Sequence, residues 1–275
     1  MQSRTLLRKV RCCTAVVLAA LLLSAASLLG GCATPDLPSK RFSEILYRYP
    51  ATDAPLNIKV LTSTSADQVP PALRGKAVTV IVHPAYSLFF REERRSTFTE
   101  AKYNLLKYQL DNEARFITEI AKTDNIVVLL LPGEYDKESI APLSYTAYLN
   151  MVAGGSPTVF AIYSETSSSG ALTTDATVTL YGFLTSLKAD KVLVGGGYIG
   201  RCEREFYSQM VTYMDKIPSF VVPEISSISP DDISDREAET ILESIRKNDY
   251  GPVLRFIDKR SKGANTLLLP PSHRL

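Results

Sequence analysis

The chain has 275 residues, of which 45% are hydrophobic and 22% are charged, with a formal net charge of +2 at pH 7. Four basic and no acidic residues stand in the first 31 positions, so the rest of the chain carries 27 Lys+Arg against 29 Asp+Glu. A slightly acidic remainder argues against a nucleic-acid-binding protein. No Cys/His cluster has metal-ligand spacing, so we expect no metal and no cofactor.

The first 31 residues have the order of parts found in a secretory signal. A basic start is followed by an apolar run from Thr14 to Leu29 and then by Gly30-Gly31-Cys32. At roughly 16 residues, the run is shorter than the ~20 of a membrane-spanning helix. The small residues before Cys32 resemble the lipobox of bacterial lipoproteins, which implies cleavage before Cys32 and acylation of this residue. An uncleaved anchor and ordinary secretion are the alternatives.

This resemblance predicts a domain organisation and a location. Residues 1–31 form the signal peptide, and residues 32–55 form the lipidated Cys32 and a flexible tether rich in Pro, Ser, Asp and Thr. Residues 56–258 form a single α/β domain, and residues 259–275 form a frayed tail. Because Ala33 rather than Asp follows Cys32, the resemblance implies the periplasmic face of the outer membrane. The expected partners are the lipid bilayer and an envelope protein or small ligand that the sequence does not name.

Short apolar segments alternate with segments of helical periodicity through the predicted domain. Alternation of this kind predicts a three-layer α/β fold, with a mostly parallel open sheet and helices on both faces. The predicted strands are Ile58 to Leu61 at an edge, Val78 to Val82, Ile126 to Leu131, Thr158 to Tyr163, Lys191 to Val194 and Phe220 to Val222. The predicted helices cover 98–122, 139–152, the segment around 180–187, 201–214 and a last helix that Asp235 caps.

Distinctive side chains stand where the predicted strands end. In open α/β sheets ligands bind beyond the carboxyl ends of the strands. His83, Glu134, Ser164 and Glu224 occupy such positions. These residues are therefore the first candidates for a site.

The segment from Gly195 to Gly200 contains the pattern G-x-G-x-x-G between a strand and a helix. This context is the one that a dinucleotide site requires, with Gly195, Gly196 and Gly197 beside a phosphate and Glu224 near a ribose. The motif nevertheless comes late in the chain, so a tight structural turn is the favoured interpretation and nucleotide binding is the weaker alternative.

Cys202 begins the helix that follows this turn and is the only thiol left after removal of the signal and acylation of Cys32. A helix N-terminus lowers a thiol pKa, and Arg201 and Arg204 would act in the same direction. Glu203 and Glu205 would oppose them. Cys202 is either a reactive thiol or a small buried core residue.

The segment from Lys188 to Cys202, with the helix before it and Phe220-Val-Val after it, resembles the isochorismatase-like cysteine hydrolases. The first strand and Phe90 add to the likeness, which covers roughly residues 76–230. In that family the nucleophilic Cys begins a helix after a Gly-containing strand end, which corresponds to Cys202. The family's Asp base is His83 here, and its Lys has no counterpart between Thr158 and Glu165.

Two functional interpretations follow from these departures. In the leading one the catalytic set has been lost, and the domain is a non-catalytic binding or scaffold module. In the alternative His83 acts as base for Cys202 in a hydrolase of amide-type bonds. Tyr145, Tyr148 and Tyr163 are candidates either for lining a pocket or for packing at the domain rim.

Overall fold

The structure is a computed structural model that describes residues 47–86, 89, 98–121, 125–133 and 140–270. The predicted signal peptide, Cys32, Glu134 and residues 271–275 lie outside the described residues. Within the described part of the chain, no helix is long and apolar enough to cross a membrane.

Six parallel strands form one sheet in the order β1-β4-β3-β2-β5-β6. Apart from the exposed edge strand Lys59–Val60, the strands are mostly apolar because both faces of the sheet are covered, which leaves little room for polar residues. Their bounds are β1 Lys59–Val60, β2 Val78–Val82, β3 Ile126–Leu131, β4 Val159–Tyr163, β5 Val192–Gly196 and β6 Ser219–Val221. The sequence prediction of a three-layer α/β fold is confirmed.

Helices cover both faces of this sheet. They are α1 Glu100–Ala121, α2 Ile140–Ala153, α3 Thr174–Leu187, α4 Cys202–Tyr213, α5 Asp235–Arg246 and α6 Gly251–Arg260. Side chains alternate between the faces along a strand, so Leu129 of β3 packs in one core with α1 and α2. Its neighbour Val128 packs in the other core with α3 and α4. In addition, α5 packs against α1.

The C-terminal part differs from the sequence prediction. Ser234, rather than Asp235, caps α5 through a capping box with Glu237. A further helix, α6, follows where the sequence predicted none. The sequence does contain a start signal for this helix at Gly251-Pro252, because proline is favoured in the first turn of a helix.

The segment after α6 is also ordered against the sheet, so the predicted fraying is wrong up to Leu269. The Val221 N–H donates to the Asn265 carbonyl at 2.8 Å, and the Leu267 N–H donates to the Val221 carbonyl at 3.0 Å. This segment therefore covers the β6 edge, which would otherwise expose unpaired backbone groups.

The end of the predicted tether also contacts the domain. Tyr49 packs edge-on against Tyr148, with ring centroids 5.1 Å apart. The Asn150 side chain donates to the Pro55 carbonyl at 3.0 Å and accepts from the Asn57 N–H at 2.7 Å. Residues from Tyr49 onward thus lie on the fold rather than in a free linker.

The strand order places a topological switch point between β2 and β5. From β2 the chain moves outward through β3 to β4, and it then returns to the other side of β2 to form β5 and β6. Helices that connect the two halves leave in opposite directions, which opens a crevice at the carboxyl ends of β2 and β5. His83 follows β2 and Cys202 follows β5, so both lie at this crevice.

Candidate functional site at the switch point

The loop after β2 has an unusual backbone. His83 has a φ of 46° and Ala85 a φ of 51°, in the left-handed region that residues with a Cβ rarely adopt. The His83 N–H still donates to the Leu130 carbonyl at 2.8 Å, and the Tyr86 N–H closes a turn on the His83 carbonyl at 3.0 Å. Strain of this kind persists where the surrounding structure imposes it and is common at functional sites.

The His83 imidazole is fixed by Ser164 at the end of β4. Ser164 Oγ donates to the Thr166 carbonyl at 2.6 Å and accepts from the Gly133 N–H at 3.2 Å. Since the hydroxyl proton is used on Thr166, the 3.0 Å contact between His83 Nε2 and Ser164 Oγ requires a proton on Nε2. Burial lowers the pKa of His83 to about 4. The ring is therefore neutral at pH 7, with its lone pair on Nδ1.

The Cys202 sulfur lies against the Gly-rich turn that follows β5. It accepts a hydrogen bond from the Tyr198 N–H at 3.4 Å. A Cβ on Gly197 would stand 2.8 Å from this sulfur, and Gly197 has a φ of 61°. Glycine is therefore required at position 197 both by the backbone and by the thiol.

The sequence expectation of a lowered thiol pKa is wrong. Burial of the sulfur raises the pKa of Cys202 to about 11; the Tyr198 N–H opposes this, and the neighbouring Glu203 carboxyl adds to it. The two arginines are occupied elsewhere. Arg201 pairs with Asp232 at 3.2 Å, and Arg204 donates to the Arg260 carbonyl at 3.4 Å.

Cys202 and His83 line one small pocket together with Tyr86, Ser167, Ser168, Gly197 and Tyr198. The pocket has a volume of about 30 Å³, which is room for one or two water molecules. Glu205 holds one wall of it, since its carboxylate accepts from Ser169 Oγ and the Gly170 N–H, each at 2.9 Å. The predicted pair is thus brought to one pocket, although no hydrogen bond joins the two side chains among the described residues.

The glycine motif forms a structural turn in this chain. A Cβ on Gly195 would stand 2.4 Å from the Ile225 side chain, and one on Gly196 would stand 2.5 Å from the Val82 carbonyl. Both glycines are therefore required by close packing against neighbouring protein atoms, which accounts for the motif without a nucleotide. Glu224 is buried and accepts from the Leu269 N–H at 3.0 Å, so it holds the C-terminal segment. Of the predicted pocket residues, Gly197 lines the pocket that contains Cys202 and His83, whereas Gly195, Gly196 and Glu224 do not line it.

Two buried carboxyl groups near the site were not predicted from the sequence. Glu113 on α1 is fully buried and accepts from the Ala85 N–H at 2.9 Å, so it supports the strained loop after β2. Glu203, next to Cys202, is also fully buried. Burial raises the pKa of each to about 8. A signal for Glu113 existed, because it falls on the helix stripe of Leu106, Leu110 and Ile117.

The described residues include no group of three or more His, Cys, Asp or Glu side chains that could hold a metal ion. Cys202 is a free thiol.

No protein-family model and no curated protein matches the chain. Several solved structures are similar to it, and two of them are YcaC proteins. The YcaC gene product of Escherichia coli, an octameric hydrolase of unknown specificity, has 12% identity and a TM-score of 0.36 over 79% of this chain and 80% of that one. YcaC from Pseudomonas aeruginosa, solved with hexane-2,5-diol and covalent acrylamide, has 13% identity and a TM-score of 0.33 over 68% and 90%. Similarities this low carry no argument about activity.

We predict that His83 makes the fold acid-sensitive above pH 4. The unfolded chain binds a proton at His83 below about pH 6.5, whereas the folded chain does so only near pH 4. Stability is therefore lost as the pH falls from 6.5 to 4, by about 3 kcal/mol from this residue. Urea unfolding should show that the free energy of unfolding falls more steeply between pH 6.5 and 4 in the wild type than in His83→Asn. Asparagine is chosen because it tolerates the left-handed backbone. Equal slopes in the two proteins would contradict the assignment.

Proposed function

We propose that this chain is a lipid-anchored protein of the bacterial cell envelope whose α/β domain binds a partner and performs no thiol chemistry. The proposal that the domain performs no thiol chemistry is carried by the hydrogen bonding of Cys202 and His83. Among the described residues no hydrogen bond joins the two side chains: the Cys202 sulfur accepts from the Tyr198 N–H, and His83 Nε2 is bonded to Ser164, which leaves only Nδ1 to act as a base. A nucleophile that depends on a base needs that base within hydrogen-bonding reach.

The protonation states support the same proposal. A reactive thiolate–imidazolium pair requires a proton to move from Cys202, whose pKa is raised to about 11, to His83, whose pKa is lowered to about 4. At 1.36 kcal/mol for each pKa unit, this transfer costs on the order of 10 kcal/mol before the two ions attract each other. Burial causes both shifts, so the same desolvation disfavours both charges.

The anchor is supported by the lipobox-like sequence alone. Cleavage before Cys32 and acylation of its thiol and amino group would hold the domain at the membrane through lipid, with a short connection before the first described contacts, at Arg48 and Tyr49. The residue after Cys32 favours the outer membrane, with the domain in the periplasm. Its partner would then be an envelope protein or a small ligand.

The reactivity of Cys202 tests the non-catalytic part. In a lipid-free form that begins at Ala33, Cys202 is the only thiol. A pKa of about 11 in place of 8.5 makes iodoacetamide alkylation at pH 7 about 300-fold slower than for a free cysteine. The alkylation rate should still be rising at pH 9, and His83→Asn should leave the dependence of this rate on pH unchanged. A plateau with a midpoint below pH 7 that moves in His83→Asn would overturn the proposal.

That contrary outcome would favour the second candidate function, a cysteine hydrolase. One observation supports it: Cys202 and His83 share a pocket at the switch point, where α/β proteins place their ligands. In that case Cys202→Ala would abolish turnover of an amide-type substrate and leave the fold intact. Under the leading proposal the same substitution changes no activity.

Lipid attachment can be tested in cells with an alkyne analogue of palmitate. We expect the label in the membrane fraction, lost in Cys32→Ser and retained in the matched control Cys202→Ser. Membrane association without label, in the wild type and in Cys32→Ser alike, would instead indicate an uncleaved anchor. An unlabelled wild type in the soluble periplasmic fraction would indicate ordinary secretion.

A further inference from the structure

Helix α3 has an outer face that carries almost no charge. Residues 176–187 contain no Asp, Glu, Lys or Arg, although Val178 is 65% exposed and Tyr181 is 38% exposed. A helix that faces solvent normally carries charged side chains on its outer face. Helix α5 of the same chain does so, with charged side chains at six of its 12 positions. The outer face of α3 therefore has the composition of a surface that packs against another one.

The neighbouring flank of α4 extends this uncharged surface. The Gln209 side chain of α4 donates to Thr177 Oγ1 of α3 at 3.2 Å, so the two helices lie side by side. Both helices follow parallel strands and run in the same direction, so Tyr181 and Tyr213, each four residues further along, stand at the same level. Tyr213 is 65% exposed, and residues 206–214 contain no charged side chain. The exposed members of this α3–α4 face are Val178, Tyr181, Thr185 and Tyr213.

Gly182, in the middle of α3, leaves room for a close approach. A Cβ placed on Gly182 would meet no atom within 4 Å, so nothing in the described part of the chain requires a glycine there. Glycine in a helix interior weakens the helix relative to alanine. Small residues on a helix surface allow the backbone of a second helix to come close. This position is therefore suited to a helix from another molecule.

The charged side chains around the α3–α4 face lie at its two ends and differ in net sign. Those at the end where both helices begin are Asp175 and Glu205. Those at the end where both helices finish are Lys188, Lys216, Asp215 and the ion pair of Lys191 with Asp190. The first end is therefore acidic, and the second has one positive charge in excess. Rotating a second copy by half a turn about the middle of the face lays the acidic end on the basic end, so the face is complementary to itself.

We propose that the α3–α4 face is the interface of a symmetric dimer formed with a second copy of this chain. The two copies of α3 pack antiparallel across a two-fold axis near Tyr181 and Gly182, which brings Val178 of each copy to Thr185 of the other. An uncharged centre with tyrosine and a charged rim is typical of protein interfaces. A bilayer surface instead attracts basic residues, and the acidic end of this face would oppose it. The inference goes beyond the proposed function and depends neither on the lipid anchor nor on the state of Cys202.

The size of the α3–α4 face indicates that this dimer is reversible. Helices of 14 and 12 residues are about 20 Å long, and each is about 10 Å wide. Side by side they offer about 400 Å² per copy, or about 800 Å² in the dimer. Interfaces below about 1,200 Å² are those of weak and transient complexes. The amount of dimer should therefore respond strongly to single substitutions at its centre.

Site-specific photo-cross-linking of the full chain in intact cells tests the proposal. With p-benzoylphenylalanine in place of Tyr181, irradiation should give a covalent dimer in which mass spectrometry finds α3 of one copy joined to α3 of the other. The same probe in place of Tyr163 is the matched control, because Tyr163 is 39% exposed but lies at the end of β4. The control position should give no dimer.

A charge in the centre of the face should prevent dimer formation. In Val178→Lys the ammonium group would be buried in an uncharged contact, so the yield of cross-linked dimer should fall at least about tenfold. Val211→Lys is the control for this change. Val211 is 47% exposed and stands two residues after Gln209, on the opposite flank of α4, so its substitution should leave the yield unchanged.

Charge reversal tests the antiparallel arrangement. Asp175→Lys places like charges together at both ends of the dimer and should lower the yield about fivefold. Adding Lys188→Asp exchanges the two ends and should restore the yield. Absent dimers, cross-links only to lipid or to another protein, a yield unaffected by Val178→Lys, or a double variant as weak as Asp175→Lys would overturn the proposal. None of these outcomes bears on the alkylation of Cys202 or on the palmitate label.

Discussion

The close approach of the ends of β2 and β5 is the constraint on which the candidate site depends. Gly196 pairs with Val82, and a Cβ on Gly196 would stand 2.5 Å from the Val82 carbonyl. Only glycine fits there, and the left-handed turn through Gly196 and Gly197 directs the chain into α4. The Cys202 sulfur then fills the space left by the missing Cβ of Gly197. On the other strand, His83 leaves β2 through its own left-handed turn.

This crowding has two opposite consequences for chemistry. It brings a thiol and an imidazole to one pocket, which is the first requirement of nucleophilic catalysis. It also buries His83 and leaves Cys202 only partly exposed, and this desolvation favours the neutral forms of both groups. A fixed positive charge beside the sulfur would reverse the second effect, but the neighbouring Arg201 is paired with Asp232, and the Glu203 carboxyl raises the thiol pKa further. Desolvation therefore works against proximity here, because it disfavours the thiolate–imidazolium pair that nucleophilic chemistry would need.

The sequence predicted the sheet well because its strands are continuous apolar runs bounded by turn residues; β2 and β3 match their predicted bounds. The sequence also predicted that His83 and Cys202 lie at one edge of the sheet, because the carboxyl ends of parallel strands meet there. It did not predict the thiol pKa, because the partners of Arg201 and Arg204 lie 31 and 56 residues further along the chain. Likewise, Glu224 was a candidate pocket residue in the sequence, whereas in the fold its carboxylate accepts a hydrogen bond from the C-terminal segment. The sequence left Tyr148 open between lining a pocket and packing at the domain rim, and the burial of Glu113 beside it emerges only from packing.

A double-mutant cycle at Gly197 and Cys202 tests this account most directly. Gly197→Ala places a Cβ 2.8 Å from the sulfur and in a left-handed backbone. We expect it to cost about 1 kcal/mol from the backbone and about 1–3 kcal/mol more from the thiol clash. In the Cys202→Ala background the second part should vanish, giving a coupling energy above 1 kcal/mol in urea unfolding. An equal cost of Gly197→Ala in both backgrounds would mean that the sulfur does not lie against the turn, and the account of the site would fail.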